Sequence, residues 1–245
     1  MIYLLVLGFV MVIRFLQRHA LRQRYDAEKK IAEMQLLLIG NQLDPHFTFN
    51  VINAISASIL LEKPEVANSN LLSLSRLMRS SVLQSDKLSR TLAEELDFLQ
   101  HYISLIHSRM NGSFHFQFDL SEDVNLEWQV PKMITQIFVE NAIKHGLKPL
   151  NNGGLLIIRI HREGDNLILE IEDNGVGRKE AVKIGEKGTG KGMTMIDQLI
   201  TIINKFNQKK IRLTITDLED EQGQPRGTLV RLSIPSEMNY RFYEK

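Results

Sequence analysis

Glu140-Asn141-Ala142-Ile143-Lys144-His145-Gly146, Asp173-Asn174-Gly175-Val176-Gly177 and Gly188-Thr189-Gly190-Lys191-Gly192 follow one another between Pro131 and Gly192. Each offers a different piece of chemistry. A carboxylate such as Asp173, fixed at a strand end, accepts a hydrogen bond from an exocyclic amine like that of adenine. Gly175 and Gly177 remove side chains where backbone must turn sharply or approach a flat base. Asn141 presents a neutral oxygen, suited to a magnesium ion that keeps most of its waters. Lys144 and His145, one turn further along, are placed to face phosphates. Gly188, Gly190 and Gly192, with Thr189 between, let a loop wrap those phosphates with backbone N–H groups. A helix opening near Lys191 points its positive end at them. Asp-Asn-Gly alone is a common turn. Three such segments in this order describe one site, for ATP with Mg2+.

Two other nucleotide-binding patterns are absent. No G-x-x-x-x-G-K-[ST] occurs, and no strand runs directly into the alternate glycines of Gly188–Gly192, so neither a P-loop nor a dinucleotide fingerprint is present.

The elements around the site are legible by period. Met133, Ile134, Ile137, Phe138 and Ile143 predict a helix over Lys132–His145, and Gly192–Asn207 predicts another. Phe114, Phe116 and Phe118 alternate with polar residues as a half-buried strand, followed by strands Leu155–Arg162, Leu167–Glu172, Ile211–Asp217 and Thr228–Ile234. Strands in one layer and helices in the other make a two-layer α/β sandwich. Arg178 to Lys187, with Lys179, Lys183 and Lys187, is expected as a lysine-bearing lid loop. Thr91-Leu92-Ala93-Glu94 is a capping box opening a helix that reaches about Met110.

Upstream the pattern is helical. Pro45 bends a long helix and exposes His46 just after the bend. Leu43, Phe47, Val51, Ala54 and Leu61 form an apolar stripe, and His46, Asn50 and Asn53 share a polar face beside it. A second helix spans about Val66 to Leu83, with Leu71, Leu74, Leu77, Met78 and Val82 on one side. The two make a hairpin whose stripes exceed what two helices hide, so dimerisation into a four-helix bundle is expected.

Met1 to Ile13 is apolar, and Arg14, Arg18, Arg22 and Arg24 follow with only Asp26 and Glu28 nearby. Thirteen helical residues reach roughly 20 Å. A bilayer core is about 30 Å thick. With its positive-inside flank, residues 1–17 are expected as a membrane helix, short or cut from a longer parent, with the rest cytoplasmic. The chain of 245 residues has 43% hydrophobic and 24% charged residues, as an ordinary globular protein does. Its formal net charge of +1 gives no argument for nucleic acid, and the absence of cysteine excludes disulfides and thiolate chemistry.

The three segments resemble the N, G1 and G2 boxes of the GHKL ATPase superfamily, which includes histidine kinases and gyrase-type and Hsp90-type ATPases. Pro45-His46-Phe47-Thr48-Phe49-Asn50-Val51-Ile52-Asn53-Ala54-Ile55 upstream resembles the phosphoacceptor box of LytS/YehU-type sensor histidine kinases. That family usually has Leu where Thr48 stands, and Leu and a later Asn where Met193 and Met195 stand. The resemblance covers Gln42 to Pro235.

It implies an α+β chain: residues 1–17 a membrane helix, 18–88 a coiled coil and dimerising phosphoacceptor hairpin, 89–245 a GHKL-type ATP-binding domain. The neutral His46 imidazole would attack the γ-phosphorus of ATP, and an aspartate on a response regulator would take the phosphoryl group. A homodimer in the cell inner membrane, its catalytic part cytoplasmic, is implied too. Asp44 and Glu140 are both candidates for assisting His46. Asn50, one turn after His46, either positions the acceptor or a water during phosphoryl removal or simply solvates the helix. The alternative is a GHKL ATPase that drives a conformational change without phosphorylating itself, with Glu140 activating water.

Overall fold

The computed structural model describes residues 11–19, 21–22, 52, 56, 64–83, 88–110, 112–150, 152–183 and 191–240. His46, Asn50, Gly188, Thr189 and Gly190 lie outside these, as does most of the expected membrane helix. Residues 11–19 and 21–22 are helical, with Met11, Val12, Phe15, Leu16 and Leu21 exposed. Among the described residues no helix is long and apolar enough to cross a membrane.

Helix α1 (Pro64–Leu83) opens on a proline, whose missing N–H would have no helical partner in the first turn anyway. Ala67, Asn70, Leu74 and Leu77 are buried at helical spacing. That face packs along α2 (Leu92–Arg109): Asn70 Nδ2 donates to Ser108 Oγ at 3.2 Å, and Arg76 Nη1 lies 3.0 Å from His101 Nε2. Leu71 and Met78, on the predicted apolar side, stay exposed in the single chain.

The Thr91–Glu94 capping box forms at the start of α2, with Glu94 N–H donating to Thr91 Oγ1 at 3.2 Å and Thr91 N–H to Glu94 Oε2 at 2.9 Å. Such a cap contributes about 1 kcal/mol. Ahead of it, β1 (Ser89–Thr91) pairs antiparallel with β3 (Gln129–Pro131) in a small ribbon. The Lys132 N–H donates to the Leu88 carbonyl at 3.0 Å and the Leu92 N–H to the Trp128 carbonyl at 2.8 Å, which extends the ribbon at both ends. Beneath it Arg90 and Glu95 form an ion pair, 1% and 0% exposed, with the guanidinium 4.4 Å from the centre of the Phe98 ring.

The main sheet has five strands in the order β2-β4-β5-β7-β6: β2 (Phe114–Leu120), β4 (Gly154–Glu163), β5 (Asn166–Asp173), β6 (Arg212–Glu219) and β7 (Pro225–Pro235). Only the β2–β4 pairing is parallel among these. Leu156, Ile158 and Ile160 of β4, Leu167, Leu169 and Ile171 of β5, and Val230, Leu232 and Ile234 of β7 are buried on one face. They share one core with α2, α3 (Ile134–Asn141) and α5 (Lys191–Phe206). The opposite face carries a charge ladder, with Arg159 2.5 Å from Glu172 and Arg231 2.5 Å from Glu170. This is the expected two-layer arrangement, apolar toward the helices and polar toward water.

Two local differences from the periodic reading bear on the site. The helix expected over Lys132–His145 is α-helical only for Ile134–Asn141 and then widens into a π-helix, Ala142–Leu147, and a 3-10 turn, Lys148–Leu150. Pro149 has no N–H to continue the ladder, and Gly146 is drawn against the end of β5. The segment expected as a loop after Gly177 begins as a short helix, α4 (Arg178–Lys183).

Candidate nucleotide site

Strand β5 delivers Asp173 to the edge of the core, where it is 5% exposed. Burial pushes its carboxyl up to about 6, opposed by hydrogen bonds from the Gly175 and Thr228 backbones. The Gly175 N–H donates to Oδ1 at 2.9 Å, closing the turn that follows the strand. A buried carboxylate with a proton affinity this far raised is suited to recognising a ligand donor.

Two glycines bring the first two segments into contact. A methyl group on Gly146 would fall 2.7 Å from Asp173 Oδ1, and one on Gly175 would fall 2.4 Å from Gly146 Cα. The Val176 N–H donates to the Gly146 carbonyl at 3.2 Å. The widened helix thus packs its backbone directly on the Asp-Asn-Gly turn. Across the turn, Gly177 has φ +76° and packs on Pro225, while Gly227, at φ +125°, lets β7 approach the Asp173 carbonyl.

The third segment meets α3 through Gly192, where an added Cβ would lie 3.1 Å from Ile137 Cγ2. Lys191 is the first residue of α5. Glu140 and Asn141 end α3 and are half-buried, Lys144 is exposed and His145 half-buried on the π-turn. So the π-turn that carries Lys144 and His145 adjoins the Asp173–Gly177 turn, while Gly192 lies against α3.

The donor set is compatible with Mg2+ in one way only. Among the described residues no group of three or more His, Cys, Asp or Glu side chains could hold a metal ion. Asn141 supplies one neutral oxygen, and Mg2+ bound by one or two side chains takes its remaining ligands from phosphate and water. Gly146 and Gly175 meet backbone to backbone beside the buried Asp173 carboxyl.

Two family models match the sequence: Histidine kinase over residues 34–114, and Histidine kinase-, DNA gyrase B-, and HSP90-like ATPase over residues 130–238. The chain belongs to the histidine kinase family. The second match spans α3, the π-turn, β5 and α5, the elements on which the site residues stand. The sensor protein LytS of Staphylococcus saprophyticus is 32% identical over 176 residues, 69% of this chain and 29% of that protein. The sensor histidine kinase BtsS of Escherichia coli strain K12 is 29% identical over 188 residues, 76% of this chain and 32% of that protein. The chain therefore spans about a third of the length of these relatives. The histidine kinase domain of the Erythrobacter litoralis EL346 blue-light activated histidine kinase matches with a TM-score of 0.45 at 16% identity, over 86% of this chain and 94% of that one.

Three residues here carried no role in the sequence reading. Gly146 closed the first segment as a letter of the motif, and only its contact with Asp173 gives it a function. Asn174 exchanges hydrogen bonds with the start of β4, its Oδ1 accepting from Leu155 N–H at 2.7 Å and its Nδ2 donating to the Gly153 carbonyl at 3.1 Å. Gly227 sits in Arg-Gly-Thr, a setting with no turn signature to mark it.

Proposed function

We propose that this chain is the kinase portion of a membrane sensor histidine kinase of a two-component system. ATP binds with its adenine against Gly146 and Gly175 and its exocyclic amine donating to Asp173. Asn141 holds Mg2+ from the end of α3, and Lys144, His145 and the Gly188–Gly192 segment, with Thr189, Gly190 and Lys191, meet the phosphates. The His46 imidazole attacks the γ-phosphorus. A P–N bond forms, the bond to the β-phosphate oxygen breaks, and ADP leaves. A response-regulator aspartate then takes the phosphoryl group, with Asn50 positioning the approaching acceptor or water. The chain acts as a homodimer at the cytoplasmic face of the inner membrane.

One observation carries the reading: the buried Asp173 carboxyl sits where two glycines from separate ATPase segments meet backbone to backbone. Leu71 and Met78, exposed beside the buried stripe of α1, support the dimer. The test is incubation of the purified chain with Mg2+ and γ-labelled ATP. Acid-labile, alkali-stable label that disappears in His46→Gln supports the kinase. Free phosphate without protein-bound label supports the ATPase alternative, with Glu140 beside Asn141 as the residue activating water.

A further inference from the structure

Arg178 directly follows the last glycine of the second segment, and its side chain leaves the site altogether. Its Nε donates to Asp217 Oδ1 at 2.6 Å and its Nη2 to Oδ2 at 3.0 Å, a two-pronged grip on the edge strand β6. The guanidinium holds the Asp217 carboxyl below the usual carboxylate range, and Lys179 adds to the effect. Lys179 also lies 3.7 Å from Glu219 on the same strand. The backbone is docked at the same point. Gly177 packs on Pro225 at the start of β7, and the Ala181 N–H donates to the Gly177 carbonyl at 3.0 Å. Helix α4 then packs on β7 on one side and on the π-turn carrying Lys144 and His145 on the other. Whatever fixes α4 to the β6–β7 hairpin therefore adds a second tie between the Asp173 turn and the π-turn, beside the Val176–Gly146 hydrogen bond.

We propose that Arg178 and Asp217 are a positioning pair for the nucleotide site, holding α4 so that the Asp173–Gly177 turn and the π-turn keep the spacing that ATP needs. This rests on the reading of the site as one for ATP. Neither residue touches the nucleotide. Arg178 is suited to the role because a planar fork fixes direction as well as distance, which a lysine ammonium does not.

The experiment measures ATP affinity by calorimetry, KM and kcat for self-labelling, and apo thermal unfolding in the full chain. The variants are Arg178→Gln, Asp217→Asn, their double, Arg178→Lys and the exchange R178D/D217R. Each single neutral variant is expected to weaken ATP binding about two- to fivefold, the range of one partly exposed ion pair. The double should lose no more than either single. KM should rise with kcat held, and apo unfolding should barely move. Arg178→Lys should recover only part of the affinity, and the exchange variant most of it. Wild-type affinity in both single variants overturns the pair. So does a loss confined to the Arg178 variants and unrescued by exchange, which would put the guanidinium on the nucleotide itself. A wild-type chain that binds no ATP removes the reading of the site beneath it.

Discussion

Gly146 and Asp173 are so close that a single methyl group on the glycine would lie 2.7 Å from the carboxylate oxygen. The glycine belongs to one ATPase segment and the aspartate to another, so the contact is where the two segments become one site. Gly146→Ala should displace the Asp173 side chain and not the sheet, since the obstructed atom is a carboxylate oxygen. Overpacking of this kind costs about 1–3 kcal/mol. ATP affinity should fall by about tenfold with the fold retained. Calorimetry with ATP beside a thermal melt measures both. An alanine variant that binds ATP as the wild type does would separate Gly146 from the base.

Asp173→Asn should weaken binding and strengthen the apo fold. Losing a hydrogen bond to a charged group removes about 1.5–3 kcal/mol, hence roughly tenfold or more in ATP affinity. Stability runs the other way. The carboxyl protonates at about 6 when folded, against its ordinary 3.8, so the folded chain binds this proton more tightly than the unfolded one. Its ionisation therefore costs stability progressively as pH rises through that window, reaching about 3 kcal/mol above it. The asparagine variant should melt higher than the wild type above pH 6, with the gap closing as pH falls toward 4. Equal melting temperatures at pH 7.5 would contradict the buried, ionised carboxylate.

His46→Gln should abolish self-labelling and leave ATP affinity close to that of the wild type. His46 stands far before Asn141 in sequence, upstream of the matched ATPase segment. Stable label on another residue in this variant would reassign the nucleophile. Scintillation counting after acid and alkali treatment distinguishes the outcomes.

Arg90 and Glu95 offer a test of buried charge. Arg90→Met leaves the Glu95 carboxylate alone in the core, and removing one partner of such a pair destabilises by about 3–5 kcal/mol. The double variant R90M/E95L removes both charges and should return to wild-type stability or above. Denaturant unfolding of the three proteins gives the comparison. A double variant as unstable as the single would show that the pair contributes more than its mutual attraction.

Much of this architecture was written in the periodicity. The Phe114–Phe116–Phe118 alternation, the two long apolar strands and the Thr91–Glu94 box all form where their patterns place them, because each is a local preference that the core reinforces. The ATPase segments were legible for a different reason: glycine spacing records where backbone must come close. What the pattern hid is non-local. The ribbon strands β1 and β3 are three residues each, too short for any period, and find one another across α2 and β2. Nothing in the capping-box pattern marks Glu95 for the core, yet it is fully buried because Arg90 reaches it from the ribbon. The π-turn answers to Asp173, which a helical period in Lys132–His145 does not contain.

The parallel pairing of β2 with β4 has a consequence for the order in which the chain folds. Turns around Gly164 and Gly223 join β4 to β5 and β6 to β7, so those hairpins close quickly from neighbouring residues. Strand β2 meets β4 only after the whole stretch from Ser121 to Gly153 has been looped out, and that stretch contains β3, α3 and the π-turn. Closing such a loop carries an entropy that only its own non-local contacts repay. The N-box helix should therefore dock late, on a sheet whose β5 end already presents Asp173. In hydrogen exchange, amides of α3 and the π-turn should open before those of β4 and β5, and a bound nucleotide, by bridging the two, should hold the last-formed part of the domain to the first.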